Sequence, residues 1–419
     1  VIGPHGVTWA IAGVATLGVI LRPWGLPEAI WAAGGAVLLV ALGRLPLADA
    51  LRGVAKGTDV YLFLFGMMLL AELARKEGLF DWLAARAARA ARGSATRLFS
   101  LVFAVGTVVT VFLSNDATAV VLTPAVAAVA KAARAEAPLP YLLICAFVAN
   151  AASFVLPISN PANLVIYGSH MPELLEWLPR YALPSLLSIG TTYAVLRLTQ
   201  ADALRHPISA EIAQPRLDMG ARIAAVGIVV TALVLMGASA LDLQLGLPTF
   251  LAGLGTAIIV LIGKREPPWA TARDISWSVL PLVAGLFVLV EALDRTGALR
   301  ALGGVLHDFA ARSSAGAAWG AGGAIALATN LMNNLPAGLI AADAVRAAQA
   351  PQTVTSAVLI GVDLGPNLSV TGSLATILWL NALKREGVGV GSWQFLKLGA
   401  LVMPPALLLA LGALVLAGG

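Results

Sequence analysis

Two polar side chains, Asn115 and Asp116, sit in the middle of an apolar tract that runs from 98 to 130. The arrangement returns 219 positions later, where Met332, Asn333, Asn334 and Leu335 fall inside the apolar tract 315–345. The same offset carries Gly66 onto Gly285, Glu72 onto Glu291 and Gly78 onto Gly297. Duplication around polar breaks in hydrophobic segments is the pattern of a secondary transporter.

Composition sets the class. Charged residues make up 12% of the 419 and hydrophobic residues 59%, whereas an average soluble domain is about 25% charged. With a mean hydropathy of +0.87, the chain reads as an all-α polytopic membrane protein. Its net charge of +5 belongs in cytoplasmic loops and does not point to nucleic acid. Cys145, the single cysteine, lies in the apolar run LLICAFVA and reads as a small buried hydrophobe. The histidines (His5, His170, His206, His307) show no metal-ligand spacing. There is no nucleophile–base pair and no phosphate loop, so neither an enzyme nor a cofactor is expected. The first apolar run has no basic leader and no small-residue cleavage site, and it reads as a span of the mature protein.

Spans are expected near 7–21, 29–43, 60–74, 142–168 and 180–196, then 221–236, 247–262, 276–293, 354–381 and 394–416. The tracts 98–130 and 315–345 fit re-entrant hairpins better than single helices. Each arm of the first has about fifteen residues, or roughly 22 Å, enough to pass the midplane of a ~30 Å core without crossing it. Each half then holds five transmembrane spans, one re-entrant hairpin and a broken helix. Five is odd, so the halves form an inverted repeat: 1–198, a cytoplasmic linker at 199–220, and 221–419. On this topology 19 of the 27 Lys and Arg residues fall on one side and eight on the other. The richer side should be cytoplasmic, with both termini outside. Residues 79–93, with Arg86, Arg89 and Arg92 behind Leu79, Phe80, Trp82 and Leu83, suit an interfacial amphipathic helix.

Four polar clusters interrupt apolar segments. Two are the hairpin tips, Ser114-Asn115-Asp116 with Thr118, and Asn333-Asn334 with Pro336. The other two lie in the fourth span of each half, Pro157, Ser159, Asn160, Pro161 and Asn163 in one and Asp363, Gly365, Pro366, Asn367, Ser369, Thr371, Gly372, Ser373 and Thr376 in the other, and a shift of 213 pairs Asn150 with Asp363, Asn160 with Ser373 and Asn163 with Thr376. Proline removes a helical donor, glycine frees the backbone, and Asn, Ser and Thr can bond the peptide groups released. The clusters are expected to meet near the midplane as a small polar site, with helices starting after Asn163 and Ser373 and aiming N–H groups into it. Asp116 and Asp363 are the carboxylates inside the breaks and are candidates for proton coupling. Glu72 and Glu291 lie near span ends beside Arg75 and Arg295 and read as salt-bridged.

The segments SNDATAVVLTP at 114–124, MNNLPAGLI at 332–340 and GVDLGPNLSVTGSLATILWL at 361–380 resemble those of the arsenite efflux permease family (ArsB) of the ion transporter superfamily. The resemblance runs from about residue 10 to 415. It implies efflux of arsenite and antimonite hydroxides across the inner membrane by a mobile domain of hairpins and broken helices. It also allows a soluble arsenite-stimulated ATPase as a partner. Pro161 in SNPAN departs from the family pattern. The chemistry agrees: neutral trihydroxides suit Asn115, Thr118, Ser159, Asn160, Asn163, Asn333, Asn334, Ser373 and Thr376 as hydrogen-bonding partners without a fixed charge. No Arg or Lys stands in the four clusters, which disfavours dicarboxylates and oxyanions. A sodium/proton antiporter remains open, because Asp116, Asp363 and carbonyls could hold a cation. So does a channel-like role.

The charge split generates a test. With Cys145 replaced, a cysteine at position 209 should be labelled by an impermeant maleimide in inverted vesicles and not in intact cells. Labelling from outside would reverse the assignment.

Overall fold

The computed structural model describes residues 5–168, 171–213, 215–267 and 269–418; His170 lies outside them. These residues are helical or irregular. The first half comprises α1 (Gly6–Leu21), α2 (Glu28–Ala41), α3 (Leu47–Lys56), α4 (Thr58–Lys76), α5 (Leu79–Ala91), α6 (Ala95–Phe112), α7 (Asn115–Ala117), a π turn at Thr118–Leu122, α8 (Thr123–Ala132), α9 (Leu139–Ala151), α10 (Pro161–Tyr167) and α11 (Leu174–Thr199). The second comprises α12 (Met219–Ala240), α13 (Gly246–Lys264), α14 (Trp269–Ala272), α15 (Val279–Arg295), α16 (Ala298–Arg312), α17 (Ser314–Met332), α18 (Asn334–Ala348), α19 (Gln352–Leu364), α20 (Leu374–Arg385) and α21 (Ser392–Ala417). Counting α7 to α8 as one arm, the two series match element for element.

Among the described residues four helices, α6, α12, α13 and α21, are long and apolar enough to cross a bilayer alone. The expected spans 142–168 and 354–381 are each two helices around a break, α9 with α10 and α19 with α20. Residues 47–56, expected as a basic loop, form α3, which bends by 48° into α4. A helix at 298–312 also follows α15, in the register of α5, although no element was expected there. The helix expected at 79–93 forms as α5, but it is more than an interfacial appendage. Phe80, Ala84, Ala88 and Ala91 are buried against α6 and α8, while Arg86 and Arg92 face outward.

The turn at the first tip is sharp. In a straight helix Thr110 and Thr118 would stand about 12 Å apart along the axis, yet their hydroxyls are 2.8 Å apart. Ser114 is extended, and its Oγ accepts from Ala117 N at 3.1 Å to restart the chain as a helix. At the second tip Asn333 takes a left-handed φ of 72° and caps α18 through Leu335 N. The arm α6 has 18 residues, three more than expected, because Ser94 caps it ahead of Arg97.

The halves exchange arms. Helix α4 packs on α13, and α15 packs on α2. Glycines permit the approach: a Cβ on Gly66 would lie 2.5 Å from Thr249 O, and one on Gly285 would lie 2.5 Å from the Ala32 carbonyl carbon. The long helices α11 and α21 pair along their lengths. Large apolar side chains stay exposed along the outer faces of α12 and α13, including Val229, Leu233, Leu251, Ile259 and Ile262, as lipid contact requires. The linker after α11 hugs the protein. Ile208 N donates to Gly93 O at 3.0 Å and Ser209 N to Ala133 O at 2.7 Å, so it lies beside the ends of α5 and α8.

Gly66→Val should therefore destabilise the detergent-solubilised protein by about 1–3 kcal/mol, the usual cost of overpacking. Gly13→Val, where a Cβ meets nothing within 4 Å, should not. Equal thermal midpoints for the two variants would contradict the close packing of α4 on α13.

Candidate functional site

Two breaks face each other in the protein interior. In the first, Asn160 ends the irregular stretch and caps α10, its Oδ1 accepting from Ala162 N at 3.0 Å. The cap is thus Asn160 and not Asn163, three residues earlier than the sequence suggested, because Pro161 takes the first helical position and needs no N–H partner. Asn163 turns back into the break and donates through Nδ2 to Ser153 O at 2.9 Å, with Pro157 O and Leu156 O further off. Ser159 donates to Val111 O at 3.0 Å and so ties the break to α6. In the second break Ser373 caps α20 by accepting from Thr376 N at 3.1 Å, and the two hydroxyls also lie 3.1 Å apart.

The breaks are joined across the halves. Asn160 Nδ2 donates to Asp363 Oδ1 at 2.7 Å. Asn150 Nδ2 donates to Asn367 Oδ1 at 3.0 Å, and Asn367 Nδ2 reaches Phe147 O at 3.0 Å. Asn150, Asn163, Asp363, Asn367, Ser373 and Thr376 are fully buried. Among the described residues, three acceptors in this cluster, Asn150 Oδ1, Asn163 Oδ1 and Asp363 Oδ2, have no hydrogen-bond partner.

The first hairpin tip reaches this region from one side. A cavity of about 420 Å³ is lined by Ser114 and Asp116 of the tip, Pro161 of α10, Asn381 and Arg385 of α20, and Glu72 and Arg75 of α4. Asp116 is partly exposed to it, while Asn115 and Thr118 are buried at its back. The first tip packs on α20 and α18 packs on α10, so each hairpin meets the broken helix of the opposite half. Asn333 and Asn334 are buried and do not line this cavity. The expected set is therefore split. Asp116 borders open space, and Asn160, Asn163 and Asp363 form the closed cluster behind Pro161.

Asn330 was not anticipated. Its Nδ2 donates to Gly365 O at 3.1 Å, its Oδ1 accepts from Ser369 at 2.7 Å, and its carbonyl accepts from Thr371 at 2.9 Å. One side chain thus closes the second break from α17. The signal was present in TNLMNN, but the adjacent Asn333-Asn334 pair obscured it. Of the acids at span ends, Glu72 does pair with Arg75. Glu291 instead pairs with Lys56 at 2.6 Å, and Arg295 pairs with Asp49, because α3 brings both partners to the end of α15. No group of three or more His, Cys, Asp or Glu suited to a metal stands together among the described residues.

Comparison with known proteins accords with this architecture. A family model described as a citrate transporter (CitMHS) matches residues 14–362. The chain belongs to that family. It is a membrane transporter and not an enzyme. It is 27% identical over 397 residues to an arsenical pump membrane protein of Yersinia enterocolitica, covering 90% of each chain. It is 27% identical over 427 residues to one of Escherichia coli, covering 95% of each. A putative arsenical pump membrane protein of Bacillus subtilis is 24% identical, with 96% of this chain and 97% of that one covered. These relatives bear out the likeness to arsenite permeases read from the segments at 114–124, 332–340 and 361–380. In fold, the transporter is similar to the YdaH transporter of Alcanivorax borkumensis, with a TM-score of 0.59 at 14% identity over 96% of this chain and 98% of that one. It is also similar to MtrF of Neisseria gonorrhoeae, with a TM-score of 0.51 at 14% identity over 99% and 94%.

The bond between Asn160 and Asp363 should behave as a coupled pair. Asn160→Ala should cost about 1–3 kcal/mol, the cost of leaving a buried partner without its hydrogen bond. In an Asp363→Asn background the cost should fall by about 0.5 kcal/mol or more. Equilibrium unfolding in mixed detergent–SDS micelles reads both, and strict additivity would show that the pair is not coupled.

Proposed function

We propose that this transporter exports trivalent metalloid hydroxides, arsenite and antimonite, from the cytoplasm across the inner membrane in exchange for protons. The observation that carries the reading is the chemistry of the buried cluster. It is built of amides, hydroxyls and one carboxylate, with three acceptor oxygens left open, and it holds no thiol trio and no cation. Neutral As(OH)₃ brings hydroxyl donors to such acceptors without the cost of burying a charge. The arsenical pump relatives, matched over nearly their full length, support the same cargo.

Alternating access would proceed as the hairpins and broken helices move against the arms α4/α13 and α15/α2. The reciprocal packing of those arms supports an inverted repeat with its halves in opposite orientation. The cavity at Asp116 is rimmed by Arg75 and Arg385, which belong to the basic-rich side. It is then the cytoplasmic vestibule, with both termini outside. Any ATP-driven mode would need a separate soluble ATPase partner.

A neutral cargo gains nothing from the membrane potential, so accumulation against a gradient needs a coupled ion. Asp116, at the tip and bordering the vestibule, is placed to take a proton on one side and release it on the other as the hairpin moves. Asp363, closed behind Pro161, holds the second break. A cation antiporter is the second reading, favoured by the unpartnered oxygens Asp363 Oδ2, Asn150 Oδ1 and Asn163 Oδ1 within the buried cluster.

Inverted vesicles separate the two. Under an imposed proton gradient the parent should accumulate arsenite. Asp116→Asn should still bind arsenite but fail to concentrate it. Sodium movement without arsenite movement would favour the antiporter, and full accumulation by Asp116→Asn would remove this residue from the coupling.

A further inference from the structure

The vestibule contains a cation that the protein itself keeps occupied. Arg75 lines the cavity, and its Nε donates to Glu72 Oε2 at 2.9 Å while its Nη2 donates to Glu72 Oε1. The same Nη2 lies 3.4 Å from Asp274 Oδ2. A guanidinium presents a planar fork that fits carboxylates and oxyanions in a bidentate manner. Here one face of that fork is filled by Glu72, and a second carboxylate arrives from a segment 199 positions away. An ordinary helical ion pair needs only the first of these. Glu72 is 8% exposed, so it stays buried while its partner faces open space.

The rest of the wall has the same bias. Arg385, Glu386 and Asp116 line it as well, so the cavity carries two cations and four acids. Asp81 adds a further negative charge within electrostatic reach of Arg75. An anion entering this space meets excess negative charge and no open fork on α4. A neutral trihydroxide meets no such barrier.

We propose that Glu72 and Asp274 are specificity-determining residues: by holding Arg75 they close the vestibule to carboxylates and oxyanions and leave it open to neutral hydroxides. The proposal rests on the neutral-cargo reading above and explains how a chain in a citrate transporter family could refuse citrate. In the repeat-related position Glu291 bonds Lys56, a point charge without the bidentate fork, so the device belongs to this one vestibule.

The test is binding of citrate and of arsenate to the purified full-length protein, followed by isothermal titration. The parent should bind neither. The double variant Glu72→Gln/Asp274→Asn should bind at least one of them about tenfold or more tightly than the parent, the worth of one charge-assisted hydrogen bond. Adding Arg75→Gln should abolish the gain, which a merely structural role for the acids would not predict. Parent binding as tight as the double variant's would overturn the proposal. So would a folded double variant that ignores both anions, or binding that survives Arg75→Gln. Should the double variant not fold, Asp274→Asn alone, at a half-exposed side chain, should give a smaller gain in the same direction, and none would overturn it. Arsenite export by the parent is measured in parallel. Anion binding that appears on removing the acids, without arsenite export, keeps the filter and removes only the cargo reading.

Discussion

The breaks in α9–α10 and α19–α20 impose the constraint on which the rest of this structure depends. A bilayer core offers no water to peptide groups freed from a helix, and each buried polar group left unpaired costs about 1–3 kcal/mol. The chain answers with side-chain amides, which carry a donor and an acceptor as a peptide group does. Asn163 gathers carbonyls of the first break, and Asn330 does the same for the second. Where the breaks meet, Asn160 bonds Asp363 and Asn150 bonds Asn367. These bonds cross from one half of the chain to the other, so neither break is complete without the opposite half.

The exchange of arms follows a different physics. Between α4 and α13, and between α15 and α2, backbones approach at glycine, and Gly246 N donates to Asp59 Oδ1 at 2.7 Å where α13 and α4 begin. Ion pairs stand at the ends of these helices instead: Lys264 with Glu77 and Asp218, at 2.5 Å and 3.2 Å, on one face, and Lys56 with Glu291 on the other. Lys264 and Asp218 are exposed, so their pair contributes modestly, whereas the Glu77 side chain is buried against Lys264. Their value is positional: Lys264 joins the end of α13 to the end of α4 and to the cap of α12, and Lys56 joins the end of α3 to α15.

Much of this was legible in the sequence, and for a local reason. A polar pair inside an apolar tract has few solutions, so both tips and both breaks fall where Ser114, Asn333, Asn160 and Ser373 signalled them. The repeat offset placed α15 against α4 as counterparts. What escaped was long-range or hidden by periodicity. Residues 47–56 carry charges that read as a loop, yet their apolar positions recur at helical spacing and make α3. Residues 298–312 pass unnoticed because Gly303 and Gly304 dilute their pattern, although the offset from α5 pointed to them. The partner of Glu291 could not be read at all, since Lys56 comes from the other half. Which polar residues face open space and which close a break was equally out of reach. Asp116 and Asp363 look alike as letters, but only Asp116 borders the cavity.

That difference bears on the proposed separation of a neutral cargo from a coupling proton. The closed cluster behind Pro161 is a poor place for a charge to come and go, because Asp363 is held by Asn160 and lies away from the vestibule. It suits a permanent role. The tip residue is in the opposite position. Asp116 is on a short helical turn capped by Ser114, its neighbours in the cavity are Pro161 and the walls of α4 and α20, and water can reach it from the vestibule. Movement of the hairpin would change its surroundings without breaking the bonds that hold α10 to α19. A carboxylate placed at the boundary between open space and a closed polar core changes environment whenever that boundary moves, and this is the property that coupling demands.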